Sequence, residues 1–195
     1  VLNFFFFFCI NAIVMMYLGS SGVTAFSVCT SCLSIVSMFV GGSAQTMGPL
    51  LGTLYGEGDT RGVRFTVKKA ACITGISTLI LLVLFEIFPG QITGMFGVSD
   101  AGQTAVAVEA LRIYAWNLPV MGILFVAMCV YPMLGFRKLS SCIALLEGFL
   151  LVVPMAWLLA RLLGPAGIWA AFPAGEFGTL LILFLITGRI RKKRP

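Results

Sequence analysis

Residues 41–69 read GGSAQTMGPLLGTLYGEGDTRGVRFTVKK. An apolar run reaches Tyr55, breaks at Gly56-Glu57-Gly58-Asp59, and gives way to four bases, Arg61, Arg64, Lys68 and Lys69. An apolar segment closed by a glycine turn and followed by lysine and arginine reads as a helix leaving hydrocarbon on the side where basic loops collect. The same sequence of events recurs at Arg137 and Lys138, and again at Arg189, Arg191, Lys192, Lys193 and Arg194. These clusters hold eleven of the thirteen lysines and arginines.

Each cluster follows an even-numbered apolar segment, so membrane helices would place every cluster on one face and leave only Arg112 and Arg161 on the other. That is the positive-inside pattern of a six-span membrane protein with both ends of the chain cytoplasmic. The spans read as about 2–18, 23–55, 70–88, 113–134, 142–163 and 168–187, and residues 1–195 form one transmembrane lobe. The fold class expected is an all-α membrane protein, a six-transmembrane-helix bundle.

Composition agrees. The chain is 59% hydrophobic and 10% charged, where a soluble domain carries about 25% charged residues. Six spans of about 20 residues leave connections and a tail, with no room for a separate soluble domain. The net charge of +6 sits in loops, where it orients the helices and attracts anionic headgroups, so nucleic acid is not an expected partner and membrane lipid is. All six cysteines lie in or beside apolar segments and read as small buried hydrophobes, the redox-like spacing of Cys29 and Cys32 included. Val1 opens neither a signal peptide nor an initiator, and the chain is expected to begin inside a longer protein.

Along the chain, Gly19-Ser20-Ser21-Gly22 supplies an outer turn, and Gly41, Gly42, Gly48 and Pro49 predict a bend in the long second segment. Residues 56–69 read as a turn entering a basic interfacial helix, and 91–112 as an interfacial outer connection. The ladder Gly48, Gly52, Gly56 reads as helix packing. Prolines 119, 132, 154 and 173 fall within spans and free backbone carbonyls. In hydrocarbon such breaks survive only where neighbouring helices, side chains or water satisfy them, so their faces should point inward.

Among the seven acids, Glu176 lies roughly 12 Å below the outer end of its span at a rise of about 1.5 Å per residue. A carboxylate near mid-membrane is a functional candidate. Gly175, Gly178 and Pro173 beside it would open space for a proton or cation. Glu147, about 7–8 Å from the opposite face, is a second coupling candidate, with an interfacial ion pair as the alternative. Glu86 reads as an interfacial, snorkelling acid. Asn117, two residues before Pro119, is a cavity candidate, whereas Asn3 and Asn11 read as packing amides. The Phe4–Phe8 run reads as lipid-facing. The Gly-x-Ser-Gly match at residues 19–22 resembles the nucleophile motif of rhomboid proteases, which needs a histidine base. This chain has no histidine, so an enzyme is not expected, nor a cofactor or a metal.

The 41–69 stretch resembles the MATE (multidrug and toxic compound extrusion) transporters. Gln45, Pro49, Tyr55, Gly56, Gly58, Asp59, Arg61 and Arg64 stand where that family has a span end, a glycine turn and a basic helix start. Leu111-Arg112-Ile113-Tyr114, the Gly-Phe-Arg-Lys turn at 135–138, and Gly167-Ile168-Trp169 with Pro173 and Glu176 are similar to the second half of bacterial members. The resemblance implies one lobe, the C-terminal one, of a two-lobe twelve-helix transporter in a bacterial plasma membrane. It further implies export of amphipathic or cationic small molecules in exchange for a proton or sodium ion, with Glu176 and Glu147 as coupling candidates and Asn117 and Tyr114 lining the substrate route. The partner would be a missing N-terminal six-helix lobe of the same polypeptide, or a second copy of this lobe. Where some members carry an acid in the first span of this lobe, this chain has Asn3 and Asn11. Where many carry a base early in span five, it has Glu147. The alternatives are a flippase for lipid-linked precursors, expected to show a cationic cavity, and a non-transporting membrane scaffold.

Overall fold

The computed structural model describes residues 2–98 and 100–192, and the side chains of all these except 2–3, 43–44, 148–149 and 188–192. Arg189, Arg191 and Lys192 of the basic tail therefore lie outside the described side chains with Asn3, and Lys193 and Arg194 outside the described residues.

The first element, α1 (Leu2–Gly56), runs 55 residues with a single non-helical position, Gly19, at φ 62° and ψ −151°. Those angles are open to glycine alone, and there the chain doubles back. Phe7 and Phe26 prove the reversal: their ring centroids lie 6.1 Å apart, whereas a straight helix would separate them by about 28 Å. Gly22 closes the hairpin, since a side chain there would collide with Leu18. The expected four-residue outer turn thus contracts to one residue, and α1 makes two passes, limbs 2–18 and 20–56.

The second limb does not break at Gly41, Gly42, Gly48 or Pro49, contrary to the sequence reading. A proline withholds one N–H and frees one carbonyl, here that of exposed Gln45, and the turns around it stay hydrogen-bonded. Thr46 Oγ1 donates to the Gly42 carbonyl at 2.9 Å and Thr53 Oγ1 to that of Leu50 at 2.9 Å. The ladder Gly48, Gly52, Gly56 is not a packing face among the described residues. An added Cβ would meet nothing within 4 Å at Gly52 or Gly56, and only the Met133 tip, at 4.0 Å, at Gly48.

Asp59 caps α2 (Thr60–Ile87), its Oδ1 accepting from the backbone N–H groups of Arg61 (3.1 Å) and Gly62 (2.9 Å). With the cap at Asp59, the basic stretch is no separate interfacial helix but the opening turns of the span itself. A short helix, α3 (Pro89–Met95), follows.

Residues 101–112 depart further from the sequence reading. They belong to α4 (Ala101–Ala115), which joins α5 (Asn117–Met133) at a bend of 44°, so the fourth pass starts near Ala101 instead of residue 113. Ala107, Ala110, Leu111, Tyr114 and Ala115 are buried against α1 and α8 at helical spacing, while Glu109 and Arg112 on the other side are exposed. The bend has a local cause: Pro119 cannot donate to the Ala115 carbonyl four residues back.

The fifth pass is assembled from α6 (Arg137–Leu145), a π-helical turn (Leu146–Leu150) and α7 (Val152–Leu163). In the π turn the Leu151 N–H reaches back five residues to the Leu146 carbonyl at 3.2 Å. It ends at Leu150, whose carbonyl would have bonded an N–H that Pro154 lacks. Gly164, at φ 66°, turns the chain into α8 (Pro165–Lys192). There Gly167 lies directly on the Leu159 carbonyl with no space for a Cβ.

The helices pack into a bundle whose main core gathers Ile10, Phe26, Leu111, Leu118 and Trp169 from α1, α4, α5 and α8. Its outer surface is apolar, with Phe4 and Phe184 each 80% exposed. In water such a surface would aggregate; in a bilayer it is the solvent contact.

Candidate functional site

Glu176 sits eleven residues into α8 and is buried, at 5% exposure. Across from it the α4–α5 bend delivers Tyr114 and Asn117, each 3% exposed, and the π turn delivers half-buried Glu147. All four line one cavity of about 350 Å³. The two coupling candidates and the two cavity candidates named from sequence are therefore neighbours in space. Glu86 is half-buried at the far end of α2 and Asn11 is exposed, both away from this cavity.

The polar contacts converge on Glu176. Its carboxyl interacts electrostatically with the carboxyl of Glu147 and with the side chain of Asn117, which line the same cavity. One oxygen of each carboxyl, Oε2 of Glu147 and of Glu176, is nevertheless buried without a partner, and so is Oδ1 of Asn117. Three unpartnered acceptors within a lipid-embedded bundle would each cost about 1–3 kcal/mol or more unless a proton, water or cation meets them. Among the described residues no lysine or arginine lines the cavity and no ion pair occurs, so Glu147 has no salt-bridge partner among them.

The remaining wall is aromatic. Phe172, one turn before Glu176 on the same helix face, has its ring centroid 4.8 Å from Tyr114 at an edge-on 63°, 6.0 Å from Phe26 and 6.4 Å from Phe6. Met121, Phe125 and Met128 continue the lining down α5. The hydroxyls of Thr30 and Ser37, from the second limb of α1, point their hydrogens back to the Phe26 carbonyl at 3.0 Å and the Leu33 carbonyl at 2.8 Å. Their lone pairs stay available to the cavity they line.

Two sequence readings are corrected. Gly175 and Gly178 do not open space beside the acid; they let α7 close in. A Cβ on Gly175 would stand 2.6 Å from Val152 Cγ2, and one on Gly178 3.4 Å from Leu151 Cδ1. The room beside Glu176 comes instead from the broken helices opposite it. The Phe4–Phe8 run is also not uniformly lipid-facing: Phe4, Phe5 and Phe8 are exposed, whereas half-buried Phe6 lines the cavity and Phe7, still 39% exposed, turns part of its ring to it. Phe172 was missed, although its i, i+4 spacing from Glu176 could have flagged it.

The family model described as MatE matches residues 1–158. A curated relative from Pseudomonas putida, described as a probable multidrug resistance protein NorM, is 26% identical over 174 residues, spanning 86% of this chain and 38% of its own length. Among solved structures, an outward-facing multidrug resistance MATE family transporter of the MOP superfamily matches with a TM-score of 0.87 at 20% identity, over 97% of this chain and 43% of that one. An inward-facing one matches with a TM-score of 0.87 at 18% identity, over 100% of this chain and 46% of that one. A MOP superfamily transporter from Pyrococcus furiosus, described as having a binding pocket of reverse polarity, matches with a TM-score of 0.87 at 18% identity, over 97% of this chain and 43% of that one. At such identities the structures establish the fold, and the chain spans less than half the length of these relatives.

Proposed function

The chain belongs to the MatE family, and from that premise we propose that it is the C-terminal lobe of an ion-coupled exporter of amphipathic cations, with Glu147 and Glu176 as its coupling pair. The observation that carries this reading is the meeting of the two carboxyls in one cavity whose lining, among the described residues, holds no base. Two carboxyls sharing a cavity without a base repel each other when both are ionised, so the pair favours holding one proton. Such a pair holds a proton in one state and, once that proton leaves, presents negative charge to a sodium ion or to an organic cation. Asn117 holds Glu176 in place through either exchange.

The aromatic wall supports a cationic, amphipathic cargo. Rings at Phe172, Tyr114 and Phe26 offer apolar area and quadrupole faces that attract cations. The lobe resembles outward-facing and inward-facing relatives equally, at a TM-score of 0.87 for each. Equal likeness supports alternating access by rocking of intact lobes, with little rearrangement inside this one. The second lobe would come from the same polypeptide or from a second copy, and the basic clusters would face the cytoplasm of a bacterial cell. A flippase for pyrophosphate-linked lipids is disfavoured by the absence of lysine and arginine from the cavity lining.

The test is transport by the full-length protein in liposomes, with proton and sodium gradients imposed separately. Glu176→Gln and Glu147→Gln are each expected to abolish gradient-driven efflux of a fluorescent cation while leaving the protein folded. Efflux at the wild-type rate in both variants removes the pair from the mechanism, and flux no higher than in empty liposomes for the wild type favours the scaffold.

A further inference from the structure

Separate from the acid cavity, a cleft of about 660 Å³ runs between α2 and the second limb of α1. Buried Met47 and Ala70 form its floor. Its polarity changes along its length. Toward the 56–60 turn stand Lys69 and the hydroxyls of Thr46 and Thr66, with Phe65 and Leu50 beside them; about 6 Å further along α2 stands Ile73, with Met38 and Phe39 on α1, all three strongly exposed, and Ser77 one turn beyond. Lys69 holds its ammonium 5.5 Å from the Phe65 ring centroid and forms no ion pair among the described residues. Among the described residues, no acid lines the cleft. Arg61, Arg64 and Lys68, exposed on the preceding turns of α2, extend the positive field beyond its polar end.

We propose that this cleft binds one anionic phospholipid, its phosphate at Lys69 and one acyl chain along Met38, Phe39 and Ile73. The reasoning is charge complementarity joined to direction. A lone cation with hydroxyls at the basic end of a transmembrane cleft, followed by an apolar groove, reproduces the order of headgroup and chain in a leaflet. Basic pockets between membrane helices on the side where bases collect are the usual sites for anionic headgroups. A protein segment seated there would instead need an acid to meet Lys69. The inference requires membrane embedding only and is independent of the proposed transport.

Native mass spectrometry of the purified full-length protein, titrated with phosphatidylglycerol or phosphatidylcholine, decides it without substrate or gradient. The wild type is expected to retain one phosphatidylglycerol in preference to phosphatidylcholine, and Lys69→Ala to weaken that retention about fivefold. Gly42 lines the cleft with nothing within 4 Å of an added Cβ, so Gly42→Leu fills the groove and should also displace the lipid. The double variant Arg61→Ala, Arg64→Ala should matter less than Lys69→Ala alone. Equal loss in that double variant with none in Gly42→Leu means diffuse attraction to the basic surface and overturns the site. A Gly42→Leu protein that melts lower yet keeps its lipid means protein covers the cleft, which overturns it too. Since no flux is measured, failure here leaves the coupling pair standing, and failure of coupling leaves the lipid site standing.

Discussion

Gly175→Ala should loosen the junction that holds the two acids together. An alanine Cβ at this position would stand 2.6 Å from Val152 Cγ2, short of ordinary contact at 3.4 Å by about 0.8 Å, with the Val152 backbone already at 3.3 and 3.4 Å. Valine in a helix has essentially one rotamer, so the side chain cannot swing clear and α7 must move outward by most of that shortfall. Overpacking of this kind costs about 1–3 kcal/mol. Val152 follows the π turn that carries Glu147, so the displacement also draws Glu147 away from Glu176. Unfolding of the full-length protein in graded denaturing detergent would measure the loss, with Gly75→Ala, a site open to 4 Å, as the neutral control. Val152→Ala removes the colliding Cγ2, so the double variant should be more stable than the two single losses predict, by about 0.5–3 kcal/mol of coupling. Strictly additive losses, or a Gly175→Ala protein as stable as the Gly75→Ala control, would refute the close approach.

Three further substitutions test separate parts of the fold. Asp59→Ala removes both side-chain bonds to the first N–H groups of α2 and should lower unfolding stability by about 1 kcal/mol, while Asp59→Asn keeps most of it. Gly19→Ala forces a side chain into the region at φ 62° and should cost about 1–3 kcal/mol; Gly41→Ala, at helical angles with nothing within 4 Å, should be neutral in the same melt. Phe172→Ala removes the ring common to the contacts with Phe6, Phe26 and Tyr114. It should lower both the melt and the affinity for a fluorescent cation, whereas Phe184→Ala, 80% exposed, should change neither.

Charge order and glycine turns carried the topology in the sequence, because both answer directly to the membrane. Irregularities inside the helices were less legible. Nothing local distinguishes Gly19, which adopts a positive φ, from Gly41 and Gly42, which do not; the reversal falls where the first limb has used up its apolar length. The α4 helix was hidden because Gln103, Thr104 and Glu109 lower its mean hydropathy, and its alanine face shows only at a period of about 3.6. The meeting of Glu147 and Glu176 was obscured by span ends placed too far along the chain. Counted from the observed starts, Glu147 lies about 15 Å beyond Arg137 and Glu176 about 16 Å beyond Pro165. On antiparallel helices those depths add to nearly the full hydrocarbon thickness of about 30 Å, which puts both acids at one level.

The helix breaks and the polar residues occupy the same places for a physical reason. Asn117 follows the α4–α5 bend and Glu147 lies within the π turn, and both reach Glu176 on α8. A bend at Pro119 and a register change before Pro154 leave backbone carbonyls without helical partners. In a bilayer such groups are tolerated only facing protein or a wet cavity. The unpartnered oxygens of Asn117, Glu147 and Glu176 carry the same requirement. Breaks and acids thus share one requirement, a polar occupant of this cavity; under the proposed function that occupant is a proton or cation. Repairing one break tests that shared dependence. Pro154→Ala restores a donor for the Leu150 carbonyl and should convert the π turn toward regular helix, rotating Glu147 off the cavity. Coupled efflux should then fall as it does in Glu147→Gln, although every acid remains. Unchanged efflux in Pro154→Ala would separate the break from the site.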